Sequence, residues 1–301
     1  MQIEINGRPI GPQFKPYVVA EIGQNHNGDA YEAVRMISMA VKAGCDAVKF
    51  QLRNAEAEYS AEVLDAPHPN PANAFGETYR EHRAALDLSI SDLALIQKRI
   101  QYNEWPITMF VTPCDVSCVA PLVELNMPAY KVASKDLTNL PLVEAVAKTG
   151  KPVILSTGMA VDEEIETACD LVDDINGDFA VMHCTSEYPC PNDHVDLRVL
   201  KMMDSFHCKH SFVRGYSDHT VGILAGPLAV AMGASIIEKH ITLSRCAKGT
   251  DHACALEKDG LERYVRDCRN AYTMLGVHLK RLYTAGWKNR ANQIRKAELH
   301  G

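Results

Sequence analysis

No apolar run in this 301-residue chain approaches the roughly 20 residues needed to span a bilayer. Its first residues, Met1-Gln2-Ile3-Glu4, lack the charged segment and apolar core of an export signal. Both absences lead to the expectation of a cytoplasmic protein that meets no membrane. A basic excess is also missing. Lys and Arg number 31 against 38 Asp and Glu, for a formal net charge of -7, so there is no broad nucleic-acid footprint. A few lysines in a cleft can still focus a positive field on a small anion. No CxxC pair occurs, which argues against a zinc ribbon. The ten cysteines fall singly, mostly inside apolar segments (Cys45, Cys169, Cys184, Cys268). In a large chain without an export signal they read as buried thiols rather than a disulfide framework. Cys114 and Cys118 stand four apart, but the ordinary role for such a pair is as small buried helix residues. Low-complexity tracts and internal repeats are absent.

A length of 301 residues suits one large barrel or two ordinary domains, and 47% hydrophobic residues are enough for a sizeable core. Residues 2–10 alternate apolar and polar around Asn6-Gly7, the pattern of a β-hairpin, which would cap one end of the domain. Thereafter strand and helix signals alternate. Strands are predicted at 17–22, 46–52, 107–112, 129–133, 153–157, 179–185, 212–217 and 235–242. Helices are predicted at 29–43, 91–102, 116–125, 140–149, 161–174, 195–206, 221–232 and 258–275. The first helix has a good N-cap in Asp29 and a stop in Gly44. Eight near-continuously apolar strands, each followed by a helix, predict an α/β fold of the (β/α)8 TIM barrel type over 16–279. The hairpin cap would occupy 1–15, and a basic, polar tail containing Trp287 would occupy 280–301. A doubly wound open sheet is the alternative, but no glycine-rich dinucleotide fingerprint follows the first strand. Residues 53–90, with Pro67, Pro69 and Pro71, are too long for a minimal connection. They are either a lid over the catalytic face or a surface elaboration.

In such a barrel, chemistry sits at the C-terminal strand ends. The last two predicted strands end in Gly215-Tyr-Ser-Asp-His-Thr220 and Glu238-Lys-His-Ile-Thr242. Alternate strand residues share a face, so Ser217 points with His219 and Glu238 points with His240. Two imidazoles on adjacent strand ends form half of a divalent-metal site; singly, each would read as a hydrogen-bonded interior histidine. Lys49 and Lys131 interrupt apolar strands and would enter the same mouth. Thr112, Ser134, Ser156, Ser186 and Ser217 surround them, and two ammonium groups among hydroxyls suit a doubly charged anion. A lysine there could instead form a Schiff base, although a metal pair performs the same charge stabilisation. Glu21 faces that mouth as a candidate general base or sugar ligand. Asp251-His252 would either grip polyol hydroxyls or cap the last helix.

Five segments resemble the sialic acid synthase (N-acetylneuraminate or nonulosonate synthase) family: Glu21-Ile-Gly-Gln-Asn-His-Asn-Gly-Asp29, Asp46-Ala-Val-Lys-Phe-Gln51, Lys151-Pro-Val-Ile-Leu-Ser-Thr-Gly-Met159, and the two histidine segments above. They occur in the family's order over residues 15–276. The resemblance implies a transferase of carbohydrate biosynthesis: a metal-dependent barrel condensing phosphoenolpyruvate with the open-chain aldehyde of N-acetylmannosamine or a related aldose. Lys49, Thr112, Lys131, Ser134, Ser156, Ser186 and Ser217 would hold phosphoenolpyruvate. His219 and His240 would bind Mn²⁺ or Mg²⁺, and Glu21, Gln51, Tyr188 and Asp251 would face the sugar. Glu21, Lys49, Lys131 and His219 would carry the catalysis. Where the family often has a glutamate two residues after the serine, Lys135-Asp136 follows Ser134. The family also implies a C-terminal antifreeze-like domain lending an arginine to the partner of a homodimer. The sequence ends at Gly301, so the expectation is a catalytic barrel, with that piece from a separate chain or a different acceptor. Two alternatives stand beside this reading. One is an octulosonate- or heptulosonate-type synthase using a phosphorylated aldose, for which Arg53, Arg80 and Arg83 are the candidate phosphate ligands. The other is a non-catalytic barrel that binds a sugar acid.

Overall fold

The computed structural model describes residues 1–206, 211–276, 286–290 and 293. The hairpin forms as expected, with β1 (Ile3–Ile5) pairing antiparallel to β2 (Arg8–Ile10) across Asn6 and Gly7, both at positive φ. Eight parallel strands then close into a barrel. They are β3 (Tyr17–Gly23), β4 (Ala47–Leu52), β5 (Thr108–Pro113), β6 (Tyr130–Val132), β7 (Val153–Ser156), β8 (Phe179–Cys184), β9 (Val213–Asp218) and β10 (Ile236–His240), with β10 returning to β3. Closure leaves no sheet edge to protect.

The helices are α1 (Ala30–Ala43), α2 (Ala55–Glu58), α3 (Ala61–Asp65), α4 (Tyr79–Leu86), α5 (Ile90–Tyr102), α6 (Val119–Glu124), α7 (Leu140–Ala147), α8 (Asp162–Ile175), α9 (Val199–Met202), α10 (Ala225–Ala231) and α11 (Lys258–Leu275). Local chemistry sets several boundaries. The Asp29 side chain accepts from the N–H groups of Tyr31 and Glu32, and Gly44 closes α1 at φ 80°. Reciprocal Thr78/Glu81 and Ser89/Asp92 capping boxes start α4 and α5.

Three expected helices are shorter than their apolar spacing predicts. The segment 195–206 keeps only α9 and a 3-10 turn, Met203–Ser205, because Asp196 adopts φ 44° and interrupts a helix begun at 195. Gly222 at φ 96° delays the helix expected from 221 until Ala225. The segment 116–125 opens as a 3-10 turn, Val116–Cys118. Every described cysteine is a free thiol, and Cys114 and Cys118 are buried. The expected tail, 280–301, lies almost wholly outside the described residues. Among the described residues no helix is long and apolar enough to cross a membrane.

The interior is layered by strand alternation. Val19, Ala47, Phe110, Ala129, Ile154, Ala180, Met182, Val213 and Ile236 fill the lower barrel, and Ile3, Ile5 and Ile10 of the hairpin pack into the same cluster. The hairpin is therefore the plug of the barrel's N-terminal end. Two residues further along six of these strands the inward positions turn polar or charged, at Glu21, Lys49, Thr112, Lys131, Ser156 and Glu238, and in β9 Ser217 joins them four residues past Val213. An apolar floor beneath a charged ceiling directs the fold's chemistry to one end. Ile5 is fully buried, so Ile5→Ala is expected to lower stability by about 2–4 kcal/mol. Urea unfolding measures this; a loss under about 0.5 kcal/mol, the scale of an ordinary surface change, would mean that the hairpin is not part of the core.

Candidate active site

A cavity of about 270 Å³ opens at the C-terminal ends of the strands. Glu21, Lys49, Lys131, His219 and His240 line it, as do Thr112, Ser134, Ser156, Ser186 and Ser217. So do Gln51, Tyr188 and Asp251. Every residue expected to hold phosphoenolpyruvate, the metal or the sugar thus reaches one mouth, whereas His252 does not line it. Register explains how: Glu21 lies opposite both Lys49 and His240, Gln51 opposite Thr112, and Glu238 opposite Ser217.

Glu238 is the residue that the sequence reading did not place among the site groups, although its spacing from His240 had put it on that face. Its Oε1 accepts from Lys131 Nζ in a close ion pair and from Ser217 Oγ at 3.1 Å, and lies 3.9 Å from Lys49 Nζ. Lys49 Nζ sits 2.9 Å from Glu21 Oε2 and donates to Thr112 Oγ1 at 3.1 Å. Glu21 Oε1 accepts from Gln51 at 3.0 Å. All four charged groups are at most 4% exposed. The two lysines are consequently not bare ammonium groups, as the sequence suggested, but members of a buried two-plus-two cluster. Charges this deep require partners, because desolvating an unpaired ion costs several kcal/mol.

The cluster divides the two carboxylates. Burial and the nearby Glu238 raise the Glu21 pKa even though Lys49 opposes them. Burial acts on Glu238 as well, but Lys131 and Lys49 overcome it and lower its pKa to about 2. Burial works to strip Lys49 of its proton, and Glu21 and Glu238 outweigh it, raising its pKa. Of two adjacent carboxylates, one is fixed as an anion and the other is the group able to hold a proton.

Across the mouth, the His219 and His240 rings lie 5.4 Å apart, and the Tyr188 ring covers His219 at 4.1 Å. Burial, then the neighbouring His240, lowers the His219 pKa to about 3. Burial also lowers that of His240, against Asp251 and Glu238. Both imidazoles are neutral near pH 7. His219 Nδ1 lies 2.7 Å from the Thr185 carbonyl oxygen, which makes it the N–H nitrogen and leaves Nε2 with the lone pair. His240 Nδ1 is buried without a hydrogen-bond partner. Two neutral imidazoles, one with an orphaned nitrogen, fit a divalent cation. Among the described residues no group of three or more His, Cys, Asp or Glu side chains completes such a site; further ligands would come from substrate or water.

On the hydroxyl wall, Ser134 Oγ accepts from the Gly158 N–H at 3.0 Å and contacts Cys184 Sγ at 3.1 Å. A Cβ at Gly158 would fall 2.5 Å from both Cys184 Sγ and Ser186 Oγ, so only glycine lets the β7 loop approach. Of the three arginines considered for a phosphorylated acceptor, only Arg53 lines the cavity, and it is held by Glu58 and Gln51. Arg80 pairs with Glu56 and Asp65 on the exterior, while Arg83 is buried beside Asp87 and Gln24. Asp251 lines the cavity and does not cap α11, whose N-cap is Glu257.

An eight-stranded parallel barrel with this charged mouth belongs to the class of barrels that act at their C-terminal strand ends. The chain belongs to the NeuB family, whose model matches residues 36–280. It is 36% identical over 276 residues to the human (Homo sapiens) N-acetylneuraminate-9-phosphate synthase, covering 92% of this chain and 76% of that protein. It is 36% identical over 290 residues to the N,N'-diacetyllegionaminic acid synthase of Campylobacter jejuni, covering 94% and 84%. The solved N-acetylneuraminic acid synthetase of Leptospira borgpetersenii, in complex with citrate, superposes with a TM-score of 0.83 at 32% identity. That superposition covers 97% of this chain and 96% of the other.

Removing the Glu238 charge leaves Lys131 without its carboxylate, so Glu238→Gln is expected to cost about 3–5 kcal/mol near neutral pH. The sign of the pH dependence follows from the lowered pKa. The stabilisation is complete above the ordinary value of 4.5 and is lost as pH falls towards about 2. Denaturant unfolding of both proteins across that interval checks this, because the wild-type advantage must shrink with acidification.

Proposed function

We propose that this barrel catalyses a metal-dependent condensation of phosphoenolpyruvate with the open-chain aldehyde of N-acetylmannosamine or a related unphosphorylated sugar, giving a nonulosonic acid and phosphate. The observation that carries the reading is the arrangement of the mouth: two buried ammonium groups and a wall of hydroxyls face two neutral, cation-ready imidazoles. Its relatives' names, synthases of sialic-type acids, agree with it.

In this reading Lys49 and Lys131, with Thr112, Ser134, Ser156, Ser186 and Ser217, hold the phosphate and carboxylate of phosphoenolpyruvate. Gln51, Tyr188, Asp251 and Glu21 face the sugar. A divalent cation, Mn²⁺ or Mg²⁺, held by His219 and His240 would supply Lewis-acid polarisation of the aldehyde. A dianion entering a cluster already balanced by Glu21 and Glu238 favours proton uptake at Glu21, the carboxylate whose pKa is raised. C3 of phosphoenolpyruvate then bonds to the aldehyde carbon while Glu21 delivers its proton to the aldehyde oxygen. Water adds at C2 and returns a proton to Glu21. Collapse of the tetrahedral centre breaks the C–O bond to phosphate, the C2 hydroxyl passes its proton to the departing phosphate, and the ketone remains. The lysines keep the anion fixed while the new bond forms.

The test is phosphate release from phosphoenolpyruvate with Mn²⁺ across a panel of aldehydes. The panel contains N-acetylmannosamine, mannose, diacetamido-trideoxy hexoses, arabinose 5-phosphate and erythrose 4-phosphate. Release is expected with an unphosphorylated hexose and should fall by at least about a hundredfold in His219→Ala, the loss of a metal ligand. Release confined to phosphorylated sugars, or undiminished in the variant, would overturn the reading.

A further inference from the structure

The segment 53–90 carries one buried cation that the reaction above does not use. Arg83, on α4, is 4% exposed and is gripped by Asp87, four residues ahead. Its Nη1 also donates to Gln24 Oε1 at 2.9 Å, Gln24 Nε2 donates to Thr250 Oγ1 at 2.8 Å, and Thr250 Oγ1 donates to Asp251 Oδ1 at 2.8 Å. The other carboxylate oxygen of Asp251 lies 3.7 Å from the orphaned His240 Nδ1. Every bond in this chain has its direction forced. A guanidinium can only donate, so the Gln24 amide must present its oxygen to Arg83 and its NH₂ to Thr250. The Thr250 hydroxyl proton is then left for Asp251. Aligned donors polarise one another. The anchor at the far end is closely packed as well. A Cβ at Gly28, in the loop after β3, would meet the Ala85 carbonyl oxygen of α4 at 2.1 Å, and Lys248, in the loop after β10, sits 4.8 Å from the centre of the Phe75 ring.

The geometry points to Arg83 as a positioning residue for the acceptor side of the cavity: it orients Gln24 and, both directly through Gln24 and through Thr250, Asp251. The segment 53–90 is on this account neither a free lid nor decoration. It is a strut that sets the sugar-facing wall, while the hydroxyl wall for the anion lies outside its chain of bonds. This inference rests on the function proposed above.

Arg83→Lys keeps the charge but lacks the fork needed to serve Asp87 and Gln24 together. Thr250→Val removes the hydroxyl at nearly constant volume. Each is expected to raise the KM for the aldehyde about tenfold, the scale of one hydrogen bond to a charged group, and to leave the KM for phosphoenolpyruvate within about twofold. The double variant should be no worse than the worse single, because both break one chain. A lowered Tm with both KM values unchanged, equal rises for both substrates, or additive effects would overturn the inference. If Arg83→Lys fails to fold, Thr250→Val alone carries the KM comparison. If the wild type turns over no aldehyde, the proposed function fails separately, and ring ¹⁵N spectra then decide. With either variant the His240 resonances, assigned from His240→Gln, should move while those of His219 stay; no movement of His240 would sink the relay.

Discussion

The structure depends on burying four charges at one level of a barrel whose lower half is mostly apolar. Lys131 and Glu238 are 107 residues apart in the chain, and each is nearly inaccessible to water. Neither would be tolerable alone, since an unpaired ion at that depth costs several kcal/mol. Satisfying both requires β6 and β10 to face one another across a closed barrel at matched height. Closure, strand register and the hairpin plug can thus be viewed as conditions for pairing these charges at a depth where electrostatic interactions are stronger than in bulk water.

That cluster also explains how two glutamates with the same chemistry take different roles. Glu238 touches Lys131, Lys49 and Ser217, so its charge is well compensated. Glu21 has one lysine nearby and the negative charge of Glu238 beyond it. The histidines complete the division of labour: buried and next to one another, they stay neutral, the form in which an imidazole can donate a lone pair to a cation. The paired lysines, the raised Glu21 carboxyl and the two neutral imidazoles are therefore arranged around a mouth of about 270 Å³.

Much of this was legible because strand side chains alternate. The two-residue steps Ser217/His219 and Glu238/His240, and polar residues following apolar ones at Lys49, Thr112 and Lys131, declare which positions face inward wherever the strand assignment is right. Caps such as Asp29, and the stop at Gly44, mark α1 by local hydrogen bonding. Backbone conformation was less legible. Asp196 and Gly222 enter positive φ and shorten two helices that apolar spacing alone would have drawn longer. Arg83 reads in sequence as a cation of the long insertion available for phosphate, yet packing turns it inward to Gln24. Its role depends on loops after β3 and β10 that are distant in the chain.

The sequence by itself determined the barrel, the plugging hairpin and the set of side chains delivered to one mouth, because each follows from short-range periodicity and a closed ring of strands. Only the tertiary structure decided which of those side chains neutralise one another. Ion pairing, pKa and hydrogen-bond direction are set by distances between residues far apart in the chain, and those distances exist only once the barrel has closed.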